Sequence, residues 1–248
     1  MRLLKRLVCF GYCLCLCGVA VPAELRGQFV YDGVPPFPVL INDIRAAAEF
    51  PGKPLFDESL LVDGTSLGIA NIVLYVRTDN VPITDEARNS ASAACTIGCK
   101  DGQFQPRVSG AWVGNQQLTL VNSDNVRHGP FMTIGVAIKP TPVLVPGASV
   151  AVPFAVPKSL PQELSCSIHP WMRGYVVMRK NPYVAVSNRD GCFLLEHLPE
   201  GVNLEIQVWH ERAGYLQAMP AWVKGRFTVN LAKDLDLGTV KVSPRHFR

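Results

Sequence analysis

Seven consecutive residues, Cys166-Ser-Ile-His169-Pro-Trp-Met172, bring a thiol, an imidazole and a thioether into one short loop. Some forty residues upstream, Asn122-Ser-Asp124-Asn-Val-Arg-His128 supplies a second imidazole behind an Asx-type turn. The donor set of His128, Cys166, His169 and Met172 suits a type-1 (blue) copper ion. Thiolate and thioether are soft and favour Cu(I), imidazole serves both oxidation states, and a weak axial Met helps to set the potential. Zinc is the natural rival, but structural zinc sites use Cys and His rather than a thioether. At residue frequencies of about 2–3% each, C-x2-H-x2-M arises by chance in roughly one chain of this length in several hundred.

These residues carry a resemblance. The chain resembles the cupredoxin family, and its short C-x2-H-x2-M loop is most similar to that of amicyanin-type copper proteins. It is also similar to secreted bacterial proteins labelled methylamine-utilisation-like or plastocyanin-like. The shared stretches are Gly27-Gln-Phe-Val-Tyr-Asp-Gly-Val-Pro-Pro36, Cys166 to Met172, and Pro182-Tyr-Val-Ala-Val-Ser-Asn-Arg-Asp190 continuing to Trp209-His210-Glu211. The resemblance implies a β-sandwich that binds one copper ion and passes single electrons, with an edge of the second His ligand reaching an apolar surface patch.

Three positions depart from that family pattern. Gly129 follows the first His where the family usually has an Asn whose amide ties the two ligand loops together. Pro106-Arg107 stands where relatives carry Pro-His. Residues Ala46 to Phe50 lack a Cys that relatives place before the Asp57-Glu-Ser-Leu60 segment, so a family disulfide to Cys99 must have changed.

Residues 1–23 read as a secretory leader. Arg2, Lys5 and Arg6 precede an apolar stretch from Leu7 to Val21, too short to span a membrane comfortably, and Val21-Pro22-Ala23 fits a small-residue cleavage site. Four of the eight Cys (9, 13, 15 and 17) fall in this leader. Removing its three basic residues from 24 basic against 20 acidic leaves a net charge of about +1, so nothing favours a polyanion or nucleic acid as partner. The expected location is periplasmic or secreted, with no membrane span in the mature chain, where copper is available and thiols tend to oxidise.

Twenty Pro and twenty Gly, set between short Val-, Ile- and Leu-rich runs, predict an all-β chain. Strands are expected at Leu25–Tyr31, Gly68–Arg77 (half-buried, by its alternation), Gln117–Val121 and Tyr175–Met178. Two more short strands are expected within Val143–Val156. Thr84 caps a predicted helix over Asp85 to Ala94. After Pro182, short strands at Tyr183–Ser187, Cys192–Glu196, Leu204–Trp209 and Gly225–Asn230 resemble a carboxypeptidase-regulatory or transthyretin-like module. The expected fold is therefore a cupredoxin-like Greek-key sandwich over 24–182 plus a smaller β-sandwich over 183–248. The opening strands resemble that same module, so the second sandwich could share strands from 24–80.

The remaining candidates divide. Cys95 and Cys99, in C-x3-C spacing, suggest a local disulfide or two separate fates, with assistance to copper delivery as the alternative. Cys192 reads as a buried structural residue of a strand, and His210 as part of a structural signature rather than a catalytic group. Trp171 could form part of an apolar surface patch or pack inward, and Arg127 could favour Cu(I) or face solvent. Electron transfer to an unidentified redox protein is the leading functional expectation, and no enzyme activity is expected. Copper storage or delivery is one alternative. The other is a module that binds glycan or protein through its C-terminal sandwich, with a vestigial copper site.

Overall fold

The computed structural model describes residues 22–247; the leader reading falls, but for its last two residues, outside them. In chain order the elements begin with β1 (Ala23–Tyr31), α1 (Ile44–Glu49), β2 (Val73–Val76), α2 (Asp85–Ser90), β3 (Ala94–Lys100), β4 (Gln103–Gln105) and β5 (Val108–Trp112). There follow β6 (Gln117–Asn122), β7 (Pro130–Ile134), β8 (Ala137–Pro140), β9 (Ser149–Val152), β10 (Gln162–Cys166) and β11 (Arg173–Arg179). The last are β12 (Val184–Val186), β13 (Cys192–Leu198), β14 (Asn203–His210), β15 (Gly214–Tyr215), β16 (Arg226–Asn230) and β17 (Leu235–Val242). The protein is all-β.

Four sheets stack in layers. A three-stranded sheet ordered β13-β1-β17 packs on a five-stranded sheet, β12-β2-β14-β15 with β16 also paired to β14. Their shared core includes Leu25, Phe29, Leu74, Val76, Ile206 and Val208. The second pair is β5-β11-β10-β7-β8 against β4-β3-β6-β9, around Ile97, Leu118, Leu120, Met132, Leu164 and Val176. A third apolar cluster joins the two sandwiches: Val73, Tyr75 and Trp209 meet Val108 and Val177.

Strand β2 lies where both sandwiches press on it. Leu74 and Val76 face one core while Val73 and Tyr75 face the junction, and all four are fully buried. A central strand covered on both faces needs apolar residues at every position, which corrects the expectation of a half-buried strand. It is also shorter than expected. Leu67 and Asn71 have φ of 58° and 64°, a left-handed conformation that breaks an extended run.

The first strands belong with the last. β1 pairs antiparallel with β13 and parallel with β17, and β2 pairs with β12 and β14. The core of the second pair of sheets draws on residues between Cys95 and Met178 and takes nothing from β1 or β2. Within Val143–Val156 only β9 forms a strand, while Leu144 makes an isolated bridge to His128. Helix α2 is capped by Thr84, whose hydroxyl accepts the Ala87 N–H at 3.1 Å. It stops at Ser90, before the expected end, because Ala94 onward pairs in parallel with β6. Cys192 is exposed rather than buried: β13 alternates, with Phe193 and Leu195 turned to the core and Cys192 and Leu194 outward.

Candidate metal centre

The loop after β6 is built around Asn122. Its side-chain amide donates to the carbonyls of Val126 (2.7 Å) and Leu144 (2.9 Å), and its oxygen accepts the Asp124 N–H at 2.9 Å. That Asx turn aims the Asp124 carboxylate inward, where it accepts the backbone N–H groups of Asp101 (2.6 Å) and Gly102 (3.1 Å). Asp124 Oδ2 also meets His128 Nε2 at 3.0 Å. The N-x-D-x3-H spacing is thus a scaffold, an anchor and a ring held at one nitrogen. A two-way backbone pairing with Leu144 (3.0 and 2.7 Å) fixes the His128 main chain.

Cys166 ends β10 opposite Pro130 of β7. The chain then turns, His169 N–H points at Cys166 Sγ at 3.4 Å, and Met172 N–H donates to the His169 carbonyl at 2.9 Å before β11 begins. Gly129 closes the gap between the two loops. Its N–H points at Cys166 Sγ at 3.4 Å, and its carbonyl accepts the Ser167 N–H (2.8 Å) and hydroxyl (3.1 Å). A Cβ on residue 129 would fall 2.4 Å from Ser167 Oγ. Ser167 occupies the space a side chain there would need, and the backbone of Gly129 with Ser167 ties the loops in place of an Asn amide.

Three of the four expected donors converge. His128 Nδ1 and His169 Nδ1 are 3.0 Å apart, and Cys166 Sγ lies 4.0 Å from the first and 3.7 Å from the second. A triangle with those edges has a circumradius of about 2.1 Å, which matches metal–nitrogen bonds of about 2.0–2.1 Å and metal–sulfur bonds of about 2.3 Å. One soft cation fits among them without moving a ligand. His128 and His169 are 0% exposed and Cys166 3%. Met172 is 0% exposed and belongs to the same core cluster as Cys166.

Both rings present the correct nitrogen. A carboxylate only accepts, so His128 Nε2 facing Asp124 and His169 Nε2 facing Glu49 Oε2 at 2.7 Å must each carry the hydrogen. Nδ1 of each ring is therefore the nitrogen turned toward the point where a cation would sit.

The charges agree. Burial alone would raise the Cys166 thiol, but contacts from His128 and His169 and two backbone N–H groups lower its pKa to about 6. Burial would lower His128, yet Asp124 and the Cys166 sulfur lift it to about 9. His169 is raised as well, against burial, by Cys166 and Glu49. Cys95 and Cys99 behave oppositely: burial pushes them up to about 11 and about 12. Among the described residues both are free, buried residues of β3 and form no disulfide.

Two carboxylates carry parts of this site that sequence reasoning did not assign. Asp124 was visible four residues before His128. Glu49 gave no signal, since it acts across 120 residues from the N-terminal helix α1. The second imidazole edge, expected at an apolar surface, is instead sealed. Trp171 is half-buried, its ring 5.0 Å from that of His169 and its Nε1–H donating to the Gly102 carbonyl at 3.0 Å. Arg127 faces solvent. His210 is buried, accepting the Arg212 N–H at 3.3 Å and packing edge-on against Phe247.

Fold and site together define an all-β chain with a closed, pre-arranged thiolate and bis-imidazole centre. No family model and no curated protein matches the chain. Among solved structures, a copper-containing nitrite reductase (NirK) from Thermus scotoductus SA-01 is 25% identical over 36% of this chain, with a TM-score of 0.32; the match spans 23% of that enzyme's length. A reduced amicyanin variant is 19% identical over 43% of this chain and 98% of its own, also at a TM-score of 0.32. An oxidised amicyanin variant stands at 18% with the same coverage and TM-score. Likenesses this partial leave the functional reading to the donor geometry.

Proposed function

We propose that the chain is a single-copper electron carrier acting outside the cytoplasm, in which His128, Cys166, His169 and Met172 would hold the ion. Copper so held would supply a one-electron couple. The observation that carries this reading is the donor triangle, whose centre stands at bonding distance from two nitrogens and a sulfur. The protein's own contribution is rigidity: Asp124, Glu49 and the Gly129 tie hold each donor before any ion arrives, so little has to move when an electron does. Donors exposed by 3% or less keep the centre out of bulk water, which supports the carrier reading.

The two alternatives are less well supported. A delivery role would need thiols that reach and release the ion, yet Cys95 and Cys99 are buried and held protonated. A vestigial site would have lost its tie between the loops, whereas Ser167 and Gly129 provide one. For the domains, we propose a copper-binding sandwich of residues 94–179 set into a second sandwich formed by residues 23–76 with 183–242. The leader-like residues 1–23 support export, and the second sandwich could offer a glycan or protein contact.

The test is copper titration of the purified protein with visible spectroscopy. Wild type should take up one equivalent and develop an intense blue thiolate-to-copper band, and Cys166→Ser should abolish it. Colourless wild-type protein under oxidising, copper-replete conditions would refute the proposal.

A further inference from the structure

The imidazole of His169 is closed off by a part of the chain outside the copper-binding sandwich. Helix α1 is N-capped by Asp43, whose carboxylate accepts the Arg45 N–H at 2.8 Å, and C-capped by Phe50 before Pro51-Gly52. Its last residue, Glu49, places Oε2 2.7 Å from His169 Nε2. Phe50 stands edge-on to the same ring at 5.8 Å. The strap holding these residues is fastened to both ligand loops. Arg45 Nη1–H donates to the Ile168 carbonyl at 2.7 Å, inside the loop between Cys166 and His169, and the Arg45 guanidinium lies 6.0 Å from the Trp171 ring. Ala46, Phe50 and Leu55 form a small core of their own with Ile41, Val126 and Trp171, reaching one residue of each loop.

We infer that Glu49 is a positioning residue of the metal centre: it orients His169 through its Nε2–H, adds a negative charge beside the donors, and with the α1 strap closes the ring edge through which an ion would otherwise leave. This rests on the copper reading above and deepens it. Two physical consequences separate. An anion near the centre favours the more highly charged oxidation state, so the Glu49 carboxylate holds the potential down. The closed strap restricts loss of the ion by any path past His169.

Three variants divide the roles. Glu49→Gln keeps a side-chain oxygen that can accept from Nε2–H but removes the charge. Glu49→Ala removes both, and Arg45→Ala loosens the strap while leaving Glu49 in place. With the copper-loaded protein, Gln should raise the reduction potential with little change in the rate at which a Cu(I) chelator extracts the ion. Ala should raise the potential and weaken copper binding about 10–100-fold, the range for losing a carboxylate partner of a ligating His. Arg45→Ala should speed extraction with little change in potential.

The apoprotein gives a readout that needs no metal. In ring-nitrogen NMR at a pH high enough to leave the ring neutral, wild-type His169 should hold its hydrogen on Nε2, and Glu49→Ala should release it into a mixture of tautomers. Unchanged potential, extraction and ring spectrum in Glu49→Ala, with only a lowered melting temperature, would overturn the inference. Wild-type protein that binds no copper would instead sink the copper reading, while the ring spectrum would still decide whether Glu49 orients His169.

Discussion

Arg107 of the sandwich that carries the donor cluster and Glu211 of the other sandwich form a two-pronged ion pair, with Nη2 to Oε2 at 2.8 Å and side chains only 5% and 4% exposed. The pair explains two features of the sequence at once. Arg107 is one of the departures from the family pattern, and Glu211 ends the Trp209-His210-Glu211 stretch. Tyr175 N–H donates to the Arg107 carbonyl at 2.7 Å, and the Tyr175 ring packs edge-on against Trp209 at 4.9 Å. The strand leaving the ligand loop is therefore clamped to the second sandwich.

Breaking that pair from one side should be costly. Arg107→Met leaves the buried Glu211 without its partner, and Glu211→Gln leaves Arg107 with only the 4.0 Å Glu58 contact; about 3–5 kcal/mol is expected, while the double variant should recover much of the loss. Denaturant unfolding of the two singles and the double measures this. Additive losses would mean the two groups do not interact.

The tie at Gly129 predicts a coupled pair of a different kind. Gly129→Ala forces Ser167 Oγ off its position against the new Cβ and breaks its bond to the residue 129 carbonyl, at a cost of about 1 kcal/mol. Ser167→Ala removes the obstacle, so the double variant should lose less than the sum of the singles in a thermodynamic cycle.

Thiolate absorbance of the apoprotein should show one cysteine titrating near pH 6 and vanishing in Cys166→Ser. Cys95 and Cys99 should stay protonated up to about 11 and about 12. The sign follows from linkage. A thiol whose folded pKa is depressed below its unfolded value of about 8.5 contributes stability that is present above that value and lost as pH falls toward 6. His128→Ala removes one of the groups that lower the pKa and should move the midpoint upward.

His210 governs a separate acid limb. Burial first, then the nearby Arg107 and Arg212 charges, depress its pKa to about 3. Below its unfolded value of about 6.5 the unfolded chain takes up a proton that the folded chain refuses, so stability falls as pH drops from about 6.5 toward 3. Urea unfolding across that range should show a shallower decline in His210→Phe than in wild type, even though the variant forfeits the Arg212 contact at neutral pH.

The sequence by itself set out Cys166, His169 and Met172 as candidate donors, because a seven-residue loop keeps its side chains within reach of one another; that His128 meets Cys166 and His169 was decided by the tertiary structure. It also determined the all-β class, since Pro and Gly punctuation with short apolar runs leaves few other solutions. Strands β6, β11, β13, β14 and β16 were legible within a residue or two from local pattern alone. Tertiary structure decided the rest. Only the stacking of four sheets buries both faces of β2, pairs β1 with strands some 165 to 210 residues away, and leaves Cys192 outside. Only it brings α1 across to His169, because a contact between residues 120 positions apart leaves no trace in spacing. Local chemistry is written in short-range order, while closure and charge balance around a site come from distant segments that meet only on folding.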